Sequence, residues 1–187
     1  MSKRDDILVA TKQLFWERGY EATSPRDIQE VSGAGQGSFY HHFRSKRDLA
    51  CEAISEVVAD RIAEFERDMS GPGTLRERLD RFLVQPRESL KGCRIGRMVW
   101  DSAIDDPRLR EPLARYFRHI EDRLGAELNA ALERGELELK VPAEQIVLMV
   151  LSALQGGFTI SRATQQRRVD EVVSALGGML DVVMIIC

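Results

Sequence analysis

The segment QGSFYHH, residues 36–42, places a side-chain amide, two hydroxyls and two imidazoles side by side. These groups hydrogen-bond to phosphate oxygens and to the edges of base pairs. In a helix, Phe39 and Phe43 would share one face, because residues four apart lie on the same side. The opposite side would then carry Gly37, Ser38 and His41, flanked by Gln36, Tyr40 and His42. The spacing predicts a short helix from about Gln36 to Phe43 that packs through its phenylalanines and offers a polar side to a nucleic acid.

Two elements must position this helix. An apolar stripe at helical spacing runs through residues 7–15 and ends at Gly19, a common helix stop. A second helix begins where Ser24 acts as N-cap, Pro25 takes the first helical position and Asp27 completes a capping box. Glycines end this helix and start the next after a turn of two or three residues. Two short helices joined in this way predict a helix-turn-helix, and a surface loop with solvated histidines is the alternative.

Composition sets the limits on function. The chain has 187 residues and a net charge of -3, so a nucleic-acid surface has to be local. Residues 1–50 carry eight Lys and Arg against seven Asp and Glu, which makes the first segment barely basic. The start of the chain lacks the uninterrupted apolar core of a signal peptide, and the longest apolar run, residues 146–151, is too short to cross a bilayer. We therefore expect a protein of the cytoplasm with no membrane partner.

No residue pattern indicates catalysis or metal binding. The three cysteines are far apart and odd in number, which argues against a zinc site and against a disulfide framework. His41 and His42 diverge by about 100° on a helix and cannot chelate one ion, and His119 stands alone in the sequence. No glycine-rich phosphate loop follows a strand. We expect neither an enzyme nor a cofactor.

Residues from about 4 to 54 resemble the DNA-binding head of the TetR family of bacterial transcriptional regulators. The shared features occur in order and at the family's spacing: GY after the first helix, the TS pair, D-I before a glycine turn, and the string F-Y-x-H-F-x-S-K. The family's turn usually reads A-G-V-S followed by Lys, whereas residues 32–36 here read SGAGQ. This departure leaves the fold intact and makes the operator sequence harder to infer.

The resemblance implies a contact with double-stranded DNA at ten positions. Thr23, Ser24 and Arg26 would lie against phosphate, Gln36, Gly37 and Ser38 would enter the major groove, Tyr40, His42 and Lys46 would grip phosphates, and His41 would lie at the groove floor or wall. Gln36 is the candidate for base readout, because a side-chain amide can pair bidentately with adenine. For Lys46, a solvated lysine at a helix start is the alternative.

The rest of the chain predicts a larger helical body. Apolar stripes, caps and glycine or proline stops indicate helices over about residues 46–68, 74–85, 95–104, 107–134 and 143–164, and a last one striped from Val169 to Val183. The expected fold is all-α, with about nine helices in total. It comprises an N-terminal three-helix bundle with the helix-turn-helix, residues 1–46, and a C-terminal ligand-binding and dimerisation domain, residues 47–187.

The last two helices predict the assembly. Residues 143–164 are apolar nearly all round in their first half, so that helix must be covered on every side. A homodimer joined through the last two helices as a four-helix bundle would cover it, and closure of the monomer's own core is the alternative. A dimer spaces two recognition helices about 34–36 Å apart, which implies a palindromic operator.

The family resemblance further implies a small-molecule inducer held among the middle helices. The candidate lining residues are Phe82, Met98, Trp100, Tyr116, Met149, Gln155 and Phe158, each of which could equally be ordinary core. Cys93 lies beside Arg94 at a loop-to-helix junction, a setting that favours the thiolate. The Gly92-Cys93 pair also resembles that of a TetR subgroup related to NemR and AcuR, which responds to electrophiles or small unsaturated acids. An inert, buried Cys93 is the alternative.

A competing hypothesis is a helical ligand-binding or oligomerising protein whose head does not bind an operator. The weakly basic head and the missing lysine of the turn favour it. The resemblance favours a DNA-binding regulator, and a repressor rather than an activator by family habit.

Overall fold

The computed structural model describes residues 2–85 and 87–186, apart from the side chains of Ala103 and Ile186. The helices in these residues are α1 Lys3–Glu17, α2 Pro25–Ser32, α3 Gln36–His42, α4 Lys46–Met69, α5 Leu75–Leu83, α6 Gly96–Val99, α7 Pro107–Glu133, α8 Ala143–Thr164 and α9 Arg168–Val183. A 3₁₀ turn spans Ser102–Asp105, and two short strands, β1 Leu137–Leu139 and β2 Met184–Ile186, complete the chain. The predicted all-α class with about nine helices is confirmed.

One predicted helix is interrupted, and two short strands were not predicted. The helix expected over residues 95–104 is broken into α6 and the 3₁₀ turn, with Trp100 and Asp101 between them. Asp and Ser side chains compete with helical backbone for hydrogen bonds, and those of Asp101 and Ser102 bond to a distant turn instead. The last helix ends at Val183, as its apolar stripe predicts, and is followed by β2, which pairs antiparallel with β1 in the register Leu137 to Ile186.

The chain divides into two compact units. Unit 1 consists of Met1–Arg61 and Arg94–Tyr116, and unit 2 of Ile62–Cys93 and Phe117–Cys187. This division differs from the boundary at residue 46 that the sequence suggests, because the first sixteen residues of α4, 46–61, belong to unit 1 and α6 packs against α1. The functional split at residue 46 stays a prediction.

Within unit 1, a cysteine thiol replaces a helical hydrogen bond that a proline removes from α7. Pro112 lies inside this helix and has no N–H, so the carbonyl of Arg108 lacks its usual helical partner. The thiol of Cys51 takes that place and donates to this carbonyl across 3.8 Å. Burial raises the pKa of Cys51, which disfavours the reactive thiolate form.

In unit 2, α8 and α9 pack closely against each other. A Cβ on Gly157 would lie 3.2 Å from the backbone of Val169, so this crossing requires glycine on α8. The hydroxyl of Ser161 donates to the carbonyl of Gly157 at 2.7 Å and accepts the N–H of Val169 at 2.8 Å. Helix α8 is the one helix among the described residues that is long and apolar enough to cross a membrane. Core helices of soluble proteins pass the same test, so this is weak evidence for a membrane span.

Candidate nucleic-acid interface

Helix α3 is held in place by its apolar side. Phe39 is completely buried, and Phe43 and Ala34 are nearly so. They belong to one cluster with residues of the neighbouring helices: Ile7, Leu8, Ala10, Leu14, Ile28, Leu49 and Ala53. A seven-residue helix does not form alone in water, so this packing is what stabilises α3.

The other side of α3 is exposed and polar. Gln36, Gly37, Tyr40 and His41 are exposed, and Ser38 and His42 are half-buried. A Cβ on Gly37 would meet no atom within 4 Å, so this position leaves room for close approach by another molecule. Four of the six predicted groove and phosphate residues of α3 are thus exposed, and their contact with DNA stays a prediction.

The turn before α3 depends on glycine. Gly33 ends α2 with φ +61°, a left-handed conformation that glycine adopts without strain. Ala34 follows and is buried, and its N–H donates to the carbonyl of Gln29 at 3.1 Å. Gly35 then caps α3 in extended conformation without a side-chain hydrogen bond. The unusual SGAGQ turn therefore keeps the helix-turn-helix geometry.

Helix α2 begins with a complete capping box. The hydroxyl of Ser24 accepts the N–H of Asp27 at 3.2 Å, and the Asp27 carboxylate accepts the N–H of Ser24 at 2.7 Å. Hydrogen bonds from Ser24 lower the pKa of Asp27. Arg26 is exposed at the same end of the helix. Ser24 and Arg26 are thus both exposed at the start of α2, and their contact with phosphate stays a prediction.

The structure gives Thr23 a different role from the predicted one. Its side chain is completely buried, and its hydroxyl donates to the carbonyl of Gly19 at 2.7 Å. Its N–H donates to the carbonyl of Tyr20 at 3.2 Å. Both hydrogen-bond donors are thus used inside the turn between α1 and α2, so Thr23 braces this turn and presents no side-chain group to a phosphate.

Lys46 lies at the start of α4 with its ammonium 4.0 Å from the centre of the Tyr20 ring. Burial lowers the pKa of Lys46, whereas nearby carboxylates act in the opposite direction. These carboxylates belong to Glu21, Asp101 and Asp27. The ammonium thus rests on the Tyr20 ring, with these carboxylates farther away.

Most lysine and arginine side chains of the head form ion pairs within the protein. Five of the eight cationic side chains between residues 2 and 50 lie beside a carboxylate: Lys3 with Asp6, Arg4 with Glu52, Lys12 with Glu56, Arg18 with Asp27, and Arg47 with Asp106. Within the described residues, Arg26, Arg44 and Lys46 have no carboxylate oxygen within 4 Å. These three remain available for phosphate.

Sequence reasoning missed the residues that brace the α1–α2 turn. Asp101 and Ser102, which follow α6, bond to Glu21, and Arg97 donates to the carbonyl of Arg18 at 3.2 Å. They lie about 80 residues from the turn along the chain, so no local spacing links them to it.

The predicted ligand-binding residues are divided between the units. In unit 2, Cys93 is half-buried and its sulfur lies 3.6 Å from the amide nitrogen of Gln155. Phe82 is buried edge-on against Phe65, and Met149 and Phe158 are half-buried. In unit 1, Met98 and Tyr116 are buried.

Trp100 does not fit the prediction, because it is 81% exposed and cannot line an enclosed pocket in this conformation. Met98 lines a cavity of about 10 Å³ with Trp16 and Val57, which has room for one water molecule. Sites for small ligands are typically about 300–1,000 Å³, so this cavity does not hold an inducer as it stands.

His119, which stands alone in the sequence, is part of a charged network in unit 2. Its Nε2 lies 2.6 Å from a carboxylate oxygen of Glu66, whose other oxygen pairs with Arg123 at 3.3 Å. Arg123 also pairs with Glu127, which accepts from Arg78 at 3.0 Å. The network links α4, α7 and α5 and offers a structural role for His119.

A glycine-joined helix pair whose second helix is braced by phenylalanines and shows a polar side defines a helix-turn-helix DNA-binding protein. Comparison with protein families agrees with this geometry. A family model described as bacterial regulatory proteins, tetR family, matches residues 7–53, and a tetracyclin repressor-like C-terminal domain model matches residues 71–176. The chain therefore belongs to the TetR family of transcriptional regulators, as the head predicts.

Relatives and solved structures extend this result over nearly the whole chain. An uncharacterised HTH-type transcriptional regulator from the lacX 3' region of Lactococcus lactis subsp. lactis is 28% identical over 178 residues, covering 90% of this chain and 87% of the relative. The HTH-type transcriptional repressor AcnR of Corynebacterium efficiens is 24% identical over 164 residues, covering 88% and 84%. The reduced form of E. coli NemR superposes with a TM-score of 0.83 at 20% identity, covering 99% of this chain and 98% of that one, and shows the shared fold.

Proposed function

We propose that this chain is a transcriptional repressor of the cytoplasm that binds a palindromic operator as a homodimer and is released by a small-molecule or thiol-reactive inducer. The observation that carries the proposal is the two-sided character of α3. Its phenylalanines are buried, whereas its polar residues lie exposed on the side away from the core. Family membership and the repressor AcnR among the relatives support the regulatory role.

Contacts to DNA divide into those that position the protein and those that read sequence. Gln36 lies exposed at the N-terminus of α3 and is the proposed base-reading residue. Tyr40, His42 and Lys46 are the proposed phosphate contacts. Lys46 must exchange the Tyr20 ring for a phosphate, and that exchange replaces a weak cation–π contact by a charge-assisted hydrogen bond.

Replacing Gln36 and Lys46 separately tests these two roles. Lys46→Ala is expected to weaken binding to all DNA sequences alike and to reduce the slope of log affinity against log salt by about 1, because one phosphate contact is lost. Gln36→Ala is expected to relax preference at one base position with the salt slope unchanged. Gel shifts on the intergenic DNA flanking the chain's own gene, and on single-base variants of the bound site, measure both.

Two results would contradict the proposal. If Gln36→Ala behaves as Lys46→Ala does, Gln36 reads no base. If the unmodified protein ignores every promoter fragment tried, the alternative of a helical ligand-binding protein without operator binding gains support. The many internal ion pairs of the head favour that alternative.

The proposed dimer uses exposed apolar stripes on the last two helices. On α9, the residues Ala175, Gly178, Met179 and Val182 are exposed at the spacing of one helical face. On α8, the residues Leu148, Ser152 and Ile160 are exposed on one side, and a Cβ on Gly156 between them would meet no atom within 4 Å. Small and apolar residues let helices of two chains pack closely, which supports a four-helix bundle between protomers.

Cys93 is the proposed site for a thiol-reactive inducer. It is half-buried beside the amide of Gln155, and it is a better candidate than Cys51, whose thiol is hydrogen-bonded and whose pKa is raised by burial. Alkylation with a small maleimide is expected to lower operator affinity in the unmodified protein and to leave Cys93→Ser unaffected. Cys51→Ser is the matched control and should respond as the unmodified protein does. Modification of Cys93 without any change in operator affinity would contradict this role.

A further inference from the structure

The turn between α1 and α2 is held by a segment far away in sequence. The Asp101 carboxylate accepts the N–H of Glu21 at 3.3 Å, and the Ser102 hydroxyl donates to the Glu21 carboxylate at 2.7 Å. Arg97 donates to the carbonyl of Arg18 at 3.2 Å. Three side chains from residues 97–102, here called the α6 segment, thus bind both ends of the turn between α1 and α2, and all of them lie in unit 1.

Gly19 shows how close this approach is. Its φ of +91° is strained for any other residue, and a Cβ there would lie 2.5 Å from a carboxylate oxygen of Asp101. The glycine that ends α1 therefore does two things. It permits the turn, and it leaves the space in which the Asp101 carboxylate reaches the backbone.

The braced turn leads directly into the proposed phosphate-binding elements. Ser24, the N-cap of α2, follows Glu21 by three residues, and Lys46 rests on the ring of Tyr20 within the turn. Phosphate contacts fix the register of a protein on DNA, so the orientation of this turn decides where those groups meet the backbone.

We propose that Asp101, assisted by Ser102, is a positioning residue for DNA binding: it fixes the α1–α2 turn and through it the start of α2 and the place of Lys46. This inference rests on the proposed DNA contacts of the head. Asp101 itself touches no DNA in this role. It makes the α6 segment part of the DNA-binding unit, although it lies outside the helix-turn-helix sequence.

The carboxylate acts here as a hydrogen-bond acceptor, and this can be separated from its charge. Asp101→Asn keeps a side-chain oxygen for the N–H of Glu21 and removes the negative charge near Lys46. Asp101→Ala removes both. Asp105→Ala is the matched control, because Asp105 is exposed in the same 3₁₀ turn and its replacement removes the same charge.

Operator affinity and amide hydrogen exchange test the proposal on the full chain. Asp101→Ala is expected to weaken operator binding about tenfold, the effect of losing one or two net hydrogen bonds. It should also speed hydrogen exchange at the Glu21 amide in the absence of DNA. Asp101→Asn should restore affinity to within about threefold of the unmodified protein, and Asp105→Ala should change neither readout. Thermal unfolding of each variant shows whether the fold is retained.

Three results would overturn the proposal. Unchanged exchange at Glu21 in Asp101→Ala would show that the turn does not depend on the carboxylate. Tighter DNA binding by both Asp101 variants would show that the charge merely competes with phosphate for Lys46. Unchanged affinity in Asp101→Ala, with Lys46→Ala still weakening binding, would refute the positioning role alone. The exchange measurement is made without DNA and therefore does not depend on the proposed function. If neither the unmodified protein nor any variant binds any DNA fragment, the proposed function fails, and the exchange result still tests the bracing of the turn.

Discussion

Replacement of Met179 by glutamate is expected to convert the protein from a dimer into a monomer and to abolish operator binding at nanomolar to micromolar concentrations. Met179 is 54% exposed on the apolar stripe of α9, so in a monomer the new carboxylate would remain in water and cost little. In a four-helix bundle between protomers, the same carboxylate would be buried without a partner, which costs several kcal/mol.

Loss of the dimer has a large effect on DNA affinity. A dimer binds its second half-site at a high effective concentration, and this avidity is worth about 10² to 10⁴ in affinity without any new contact. Sedimentation measures the oligomeric state, and a gel shift on a full palindrome and on a single half-site measures the loss. The variant should bind the two DNAs alike, because each monomer reads one half-site.

Asn129→Glu serves as the control for this experiment. Asn129 is exposed on α7 in the same unit, and its replacement adds the same charge on a helix other than α8 and α9. It should leave both the dimer and the operator affinity intact. A Met179→Glu protein that sediments as a dimer and binds the palindrome normally would show that this face is not the interface.

Replacement of Phe39 by alanine is expected to destabilise the head by about 3–5 kcal/mol, the usual range for removing a fully buried phenylalanine. Phe39 is 0% exposed and packs against Phe43 with ring centres 6.3 Å apart. A domain of this size is stable by only about 5–15 kcal/mol, so the loss takes a large share of the total. Because α3 is too short to form unaided, operator binding should be lost together with the packing.

Tyr40→Ala distinguishes loss of structure from loss of contact. Tyr40 follows Phe39 in the sequence but is half exposed, so its removal should weaken DNA binding while the denaturant midpoint of unfolding stays close to that of the unmodified protein. Phe39→Ala should lower both. Operator binding by Phe39→Ala with an unchanged midpoint would mean that the buried side of α3 has been assigned incorrectly.

The helices of the head and the glycine turn between α2 and α3 could be predicted from the sequence. Ser24 as N-cap, Pro25 at the first helical position and Gly33 as the stop are local signals, since each acts on backbone groups a few residues away. The exposed side of α3 follows from the same logic, because Phe39 and Phe43 fix the helix orientation by their spacing alone.

The arrangement of the candidate ligand-binding residues could not be predicted from the sequence. The family resemblance implies a pocket with Trp100 among its candidate lining residues, yet Trp100 lies exposed where α6 breaks off before the 3₁₀ turn. Cys93 and Gln155 are brought together although 62 residues separate them. Side chains that meet across such separations leave no periodic trace in the sequence, so their pairing is decided by packing.

The amino-acid sequence by itself determined the helices, the two-sided α3 and membership of the TetR family, because caps, glycine stops and apolar spacing act within one or two turns of a helix. Only the tertiary structure decided that Thr23 is buried, that β2 pairs with β1, and that Asp101 reaches the backbone beside Gly19. The physical reason is distance along the chain. Hydrogen bonds between residues 80 positions apart depend on how whole helices pack, and no local preference of either residue encodes that arrangement.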